Sequence, residues 1–273
     1  AKQSPQAIIF RRGPSRYVQL IAWDTSNDTF LAGQWLCGRI YEKDCDLSLS
    51  GKYLIYFAEK SRGRIRWTAI SRPPFLHALA LWPGNAFGGG GSFDTENSVV
   101  LRLGNSESQI APEFVLPKEF AINKGTENSR GKTLHEIKYG WNLEQGSEVK
   151  RDTSDGVYRN GFHQGSYLKT NPVSPQSLLL KMTIYDSMSR NNYNSNFEIL
   201  NANQTTLYKI SDSNWADWGH NGDLLFAKDG KLFRILFSQL PLTPDSKSCA
   251  VMVKDLNDSK FEEVLTPPWA KSW

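Results

Sequence analysis

The residues best placed to do chemistry in this sequence are carboxylates set beside glycine turns: Asp46, Asp94 and Asp217. A facing pair of carboxylates, one protonated and one ionised, is what general acid–base or nucleophilic attack at a glycosidic bond requires. An aspartate just ahead of a turn has a plainer use, since its side-chain oxygens hydrogen-bond the backbone of the turn itself. Both readings stay open on the sequence. Other chemistries find little support. The four histidines, His77, His135, His163 and His220, are far apart and show no HxH or HExxH spacing, so no metal site is expected. No serine sits in a G-x-S-x-G elbow. Cys37, Cys45 and Cys249 are an odd count without a CxxC spacing and read as reduced thiols, although Cys37 and Cys45 are near enough in sequence to bridge. No cofactor is expected.

The elements that must position these residues are strands. Ala7–Phe10, Tyr17–Trp23 and Thr29–Trp35 are separated by turn clusters and read as a three-strand meander. Tyr53–Ala58 and Ile65–Ser71 form the next hairpin, and Pro73-Pro74 ends it before a further strand at Phe75–Trp82. Gly88-Gly89-Gly90-Gly91 lacks the Lys-Ser/Thr that a phosphate-cradling loop needs, so it reads as a tight strand connection. Asn105–Asn128 and Asn142–Thr153 are polar and read as long surface insertions, with a short helical turn near Lys118–Ile122. Strands resume at Leu178–Tyr185, Phe197–Leu200, Thr205–Ile210, Leu224–Ala227, Lys231–Phe237 and Ala250–Leu256. No stretch carries a sustained helical stripe.

One phrase occurs twice. Asp46-Leu47-Ser48-Leu49-Ser50-Gly51-Lys52-Tyr53-Leu54-Ile55-Tyr56 and the stretch Trp215-Ala216-Asp217-Trp218-Gly219-His220-Asn221-Gly222-Asp223-Leu224-Leu225-Phe226 each run from a polar or aromatic segment through a glycine turn into an apolar strand. Recurrence of one unit points to repeated sheets. The spacing divides residues 1–273 into five units, at about 5–42, 43–87, 88–140, 141–212 and 213–269. The expectation is an all-β chain, a single β-propeller of five blades with four antiparallel strands each. Closure is expected through the two ends of the chain, with residues 267–273 pairing with or packing beside Ala7–Phe10, because that hides both sheet edges. The first phrase resembles the D-x-S-x-D-G-K-x-I-x-F repeat of TolB-like, WD40-related propellers, with Ser50 standing where the repeat has Asp; the second is similar but more degenerate. The segments Arg11–Ser15, Gly38–Glu42 and Trp67–Pro74 also look like those of a group of uncharacterised bacterial proteins. The resemblance implies fold and not function.

Length and charge bound the rest. A chain of 273 residues can bury a large core without staples. Its net charge of +4 comes from 32 basic and 28 acidic residues scattered along the sequence. The Lys60–Arg66 group therefore reads as a solvated hairpin edge, and a nucleic-acid partner is not expected. No apolar run reaches the ~20 residues of a membrane helix, and Ala1–Arg12 has no charged-then-apolar leader pattern. The expected protein is a cytoplasmic monomer. Two functions follow. The first is a non-catalytic binding or scaffold propeller that recognises a protein or small ligand at its loops. Its candidate contacts are Arg39, Asp46, Arg72, Trp215, Asp217 and His220, with Trp35, Trp82, Phe87 and Trp218 as further anchors. The second is a glycan-active hydrolase, because five-bladed propellers resemble several glycosidase families; it requires two of Asp46, Asp94 and Asp217 across one pocket.

Overall fold

The computed structural model describes residues 1–13, 16–60, 65–84, 89–102, 109–124, 138–145, 165–186, 194–240 and 249–273. These form two compact units, residues 1–130 with 259–273, and residues 131–258. Among the described residues five sheets follow one another along the chain, and the fold is all-β, of the five-bladed propeller class. Blade size varies from three to five strands rather than holding at four.

The first unit holds three sheets. In the first, β1 (Gln6–Arg12), β2 (Tyr17–Asp24) and β3 (Thr29–Cys37) form an antiparallel meander. The second contains β4 (Arg39–Ile40), β5 (Asp46–Leu47), β6 (Leu54–Lys60), β7 (Ile65–Ser71) and β8 (Ala78–Pro83). Both β4 and β5 pair with β6, Arg39 opposite Glu59 and Asp46 opposite Ile55, so they are two halves of one strand broken by a 3-10 turn at Glu42–Asp44. The third sheet is β9 (Gly91–Thr95), β10 (Ser98–Leu101) and β11 (Ala121–Lys124). Here β11 runs parallel to β10, from Ser98 opposite Ala121 onward. This corrects the helical turn expected near Lys118–Ile122. Phe120 closes a turn on the Pro117 carbonyl and Phe120 and Ile122 then alternate inward, against exposed Ala121.

Burial explains the central strands. Leu54 to Ala58 in β6 are all buried, as a strand covered on both faces must be. Its alternation divides that burial between two cores. Leu54, Tyr56 and Ala58 pack with Val18, Leu20 and Ile40, whereas Ile55 packs with Trp82, Phe93 and Val99. Each large side chain so buried contributes up to about 3 kcal/mol.

The C-terminal segment rejoins the first unit, but adds no strand to it. β1 pairs with β2 alone, and Pro268–Lys271 is a 3-10 turn. Pro267 and Pro268 have no N–H to give a ladder, so the attachment is made by side chains. Gln34 donates from Nε2 to the Val264 carbonyl at 2.9 Å and to Thr266 Oγ1 at 2.8 Å, while its Oε1 accepts from Leu76 N at 2.7 Å. Trp269 meets Phe75 edge-on at 5.4 Å, and Trp273 lies 4.8 Å from Phe120 and 5.5 Å from Tyr53.

The second unit holds two antiparallel sheets. One is β12 (Asn142–Leu143), β13 (Gly165–Thr170), β14 (Leu178–Asp186), β15 (Asn194–Asn201) and β16 (Thr206–Ile210). The other is β17 (Trp215–Trp218), β18 (Leu224–Lys228), β19 (Lys231–Ile235) and β20 (Val251–Asp255). Leu180 and Ile199 of the former pack with Leu224, Phe226 and Ile235 of the latter in one core. Among the described residues no helix is long and apolar enough to cross a membrane.

Candidate functional site

The two copies of the repeated phrase fold alike. In the first, Ser48 N bonds the Tyr53 carbonyl at 2.9 Å and Gly51 N bonds the Ser48 carbonyl at 2.9 Å, with Gly51 at φ +84°. In the second, Gly219 N bonds the Asp223 carbonyl at 2.8 Å and Gly222 N bonds Gly219 at 3.0 Å, with Gly222 at φ +83°. Only glycine adopts that conformation without cost. The second turn is one residue tighter, since Asp46 faces Ile55 but Asp217 faces Leu225. Ser50 is served by a carboxylate from the next sheet. Glu96 accepts from Ser50 N at 3.0 Å, Ser50 Oγ at 2.7 Å and Ser48 Oγ at 2.9 Å. Partial burial pushes the Glu96 carboxyl up, but these hydrogen bonds and the Lys52 charge outweigh it and hold it below the usual glutamate range.

The three candidate carboxylates go to different places. Asp46 is buried, and its Oδ2 accepts from Phe93 N at 2.7 Å, which ties β5 to β9. Asp94 is exposed, with Asn123 Nδ2 at 3.3 Å; as the residue after inward-facing Phe93, it projects to the opposite face of β9. Asp46 and Asp94 are therefore not a facing pair. In the second unit, Asp217 is 2.6 Å from Lys169 Nζ and accepts from its neighbour Trp218 N at 2.7 Å. Lys169 also lies over the Trp141 ring at 5.7 Å, and its carbonyl accepts from Trp218 Nε1 at 3.2 Å. One carboxylate was missed in the sequence. Asp223 is buried, with Arg234 Nη1 at 2.6 Å, Asn221 Nδ2 at 2.7 Å and Phe237 N at 2.7 Å. Its signal was present as an acidic residue leading directly into Leu224-Leu225-Phe226, where only a satisfied charge can be buried.

The arginines lie far apart. Arg39 is opposite Glu59 at one end of the second sheet, and Arg72 follows Ser71, which is opposite Leu54 at the other. Arg72 thus shares an end with Asp46, whereas Arg39 does not. The Arg39 guanidinium stands 4.8 Å from the Tyr41 ring and that of Arg72 stands 5.7 Å from Tyr53. The Nε of each is buried without a hydrogen-bond partner among the described residues. In the second unit, Trp215 is 39% exposed and His220 is exposed at its turn, while Trp218 is buried in the core. Trp82 is a core residue of the first unit; Trp35 is partly exposed and packs near Tyr17. Phe87, His135 and His163 lie outside the described residues. Among the described residues no group of three His, Cys, Asp or Glu is placed to hold a metal ion.

Gly88 lies outside the described residues, while Gly89, Gly90 and Gly91 run close against their neighbours. A side chain on Gly89 would meet the Phe57 ring at 2.1 Å and one on Gly90 would meet the Asp44 carbonyl at 2.0 Å. Gly90 N donates to Thr68 Oγ1 at 2.7 Å. No disulfide joins the cysteines; Cys45 is buried, and burial pushes its thiol well above the ordinary range, which disfavours the thiolate.

No protein-family model and no curated protein matches this chain. A solved structure similar to it is the uncharacterised protein lmo1340 from Listeria monocytogenes EGD-e, at 9% identity and a TM-score of 0.31, the match covering 95% of this chain and 82% of that one.

Proposed function

We propose that this chain is a non-catalytic binding module that recognises a protein or small-ligand partner through arginine and aromatic side chains at the ends of its sheets. The observation that carries the reading is a division of labour among charged groups. Asp46 and Asp217 are taken up by the scaffold, the first by a backbone N–H and the second by Lys169. Arg39 and Arg72, by contrast, are held among the described residues against tyrosine rings. Arginine and aromatic residues carry most interface energy. No specific observation favours the rival hydrolase, because the Asp46 carboxylate is buried against backbone and Asp94 turns the other way. The reading also keeps the two turns as TolB-like, WD40-related repeats, supported by their matching glycine geometry, and keeps a monomeric, cytoplasmic protein as part of the proposal. Assay of the protein against aryl glycosides tests it, with no turnover expected; turnover abolished by Asp46→Asn would replace binding by catalysis.

A further inference from the structure

The fold gathers basic residues that the sequence keeps apart, and it does so at the Arg39 end of the first unit. Gly38 N bonds the Arg16 carbonyl at 2.7 Å, which sets the β1–β2 turn beside β4. Arg39 is opposite Glu59 across the β4–β6 pair, and Lys60 is opposite Ile65, next to Arg66. Arg39 and Arg66 share the Glu59 face, Lys60 ends β6 one position further on, and Arg16 stands beside Gly38, so successive strands each bring a cation to this end. Arg11 and Arg12 extend the group at the end of β1.

The acidic residues of these strands and of the Glu42–Asp44 turn are paired, while Glu262 and Glu263, next to Phe261 in the chain, are exposed. Glu42 pairs with Arg12 at 2.7 Å, Glu59 with Arg66 at 3.1 Å and Asp44 with Arg102 at 3.6 Å. Tyr41 donates its hydroxyl to the same Glu59 at 2.5 Å. Arg16 and Lys60 are exposed. The whole net charge of +4 belongs to the residues of the first unit, since basic and acidic residues balance over 131–258.

Aromatic rings adjoin these cations. Tyr17, next to Arg16, is 36% exposed, and its ring centre is 5.3 Å from that of Phe261, which is 59% exposed. Trp35 lies behind both, at 6.5 Å and 6.0 Å. Gly13 ties the rings to the cations: a side chain there would be 3.1 Å from the Trp35 ring and 3.3 Å from the Arg11 guanidinium.

We infer that this end of the first unit binds single-stranded nucleic acid, with phosphates on Arg11, Arg16, Arg39 and Lys60 and unpaired bases against Tyr17 and Phe261. A linear polyanion fits cations drawn from successive strands, and exposed rings beside them offer stacking faces that every unpaired base can use. An acidic protein would satisfy the cations but leaves the paired rings unexplained. The inference goes beyond the binding-module reading and concerns a surface away from Arg72.

The test is fluorescence anisotropy of a labelled oligo(dT) of about 20 nucleotides at low and fourfold higher salt. Neutralising about four phosphates on a single strand predicts a ~50-fold loss of affinity over that salt change. Arg16→Glu/Lys60→Glu, two exposed sites, is expected to weaken binding more than tenfold and to flatten the salt dependence. Tyr17→Ala is expected to weaken it about fivefold or more with the salt dependence unchanged. Thermal melting of each variant reports folding. Absence of oligo(dT) binding, or binding indifferent to Arg16→Glu/Lys60→Glu, overturns the inference. So does a polyglutamate peptide that binds at the same residues more tightly than oligo(dT), which would assign this end to an acidic protein and leave the binding-module reading intact.

Discussion

Arg39 and Arg72 occupy opposite ends of one sheet, and each rests on a tyrosine. Arg39 is opposite Glu59 of β6, and Ser71, the residue before Arg72, is opposite Leu54, five residues and roughly 17 Å away along the strand. The guanidinium-to-ring distances are 4.8 Å and 5.7 Å, and neither Nε has a hydrogen-bond partner among the described residues. A small ligand therefore cannot touch both; each end of the sheet presents its own arginine.

Gln34 is expected to govern the C-terminal segment. Its amide makes three hydrogen bonds, two to the segment at Val264 and Thr266 and one to Leu76. Each such bond contributes about 1 kcal/mol net, so Gln34→Ala should lower stability by roughly 2–4 kcal/mol. Limited proteolysis should then cut within residues 259–273 well before the rest of the chain. Deleting Pro267–Trp273 should destabilise further, because it also uncovers Phe75, Tyr53 and Phe120. Unchanged melting after either change would show that the segment is an ornament of the first unit.

Glu96 predicts an acid-sensitive joint between the second and third sheets. Its folded-state carboxyl lies below the ordinary range, so the unfolded chain takes up the proton first. The stabilisation is present above the unfolded pKa and is lost as pH falls through the folded one. Urea unfolding as a function of pH should show Glu96→Gln less stable than the parent at neutral pH and the two curves converging toward acid. Parallel curves would mean the carboxylate adds nothing to the Ser48–Gly51 turn.

Much of the fold was legible because turn chemistry and apolar strands are local. Gly51 and Gly222 marked their turns, and the continuous Leu54–Ala58 run marked a strand buried on both faces. The segment at Ala121–Lys124 was missed because it is short, pairs in parallel and has one exposed residue between two inward ones. The C-terminal attachment was placed at Ala7–Phe10 on the logic of edge pairing. Its actual partners, Gln34, Phe75 and Tyr53, depend on side-chain reach that spacing does not encode. The grouping of cations is hidden for a similar reason, since Arg16 and Arg39 become neighbours through strand register, Tyr17 opposite Cys37, and the Gly38–Arg16 hydrogen bond.

Asp46 separates scaffold from catalyst. It is buried and bonded to Phe93 N, and hydrogen bonds to a charged group are worth about 1.5–3 kcal/mol. Asp46→Ala should therefore lower the stability of the first unit by at least about 2 kcal/mol in chemical denaturation. A variant as stable as the parent would free this carboxylate from the scaffold and reopen a chemical role for it.

The claim that arginines serve contact rather than folding is tested most directly by quantitative affinity capture from host extract, comparing the parent with Arg39→Ala and Arg72→Ala at matched, verified folding. Cation–π contacts of this kind contribute about 0.5–2 kcal/mol, so both variants should remain folded. The account predicts that at least one of them loses most of the captured partner while melting within a few degrees of the parent. Full retention of every captured partner by both folded variants would contradict it.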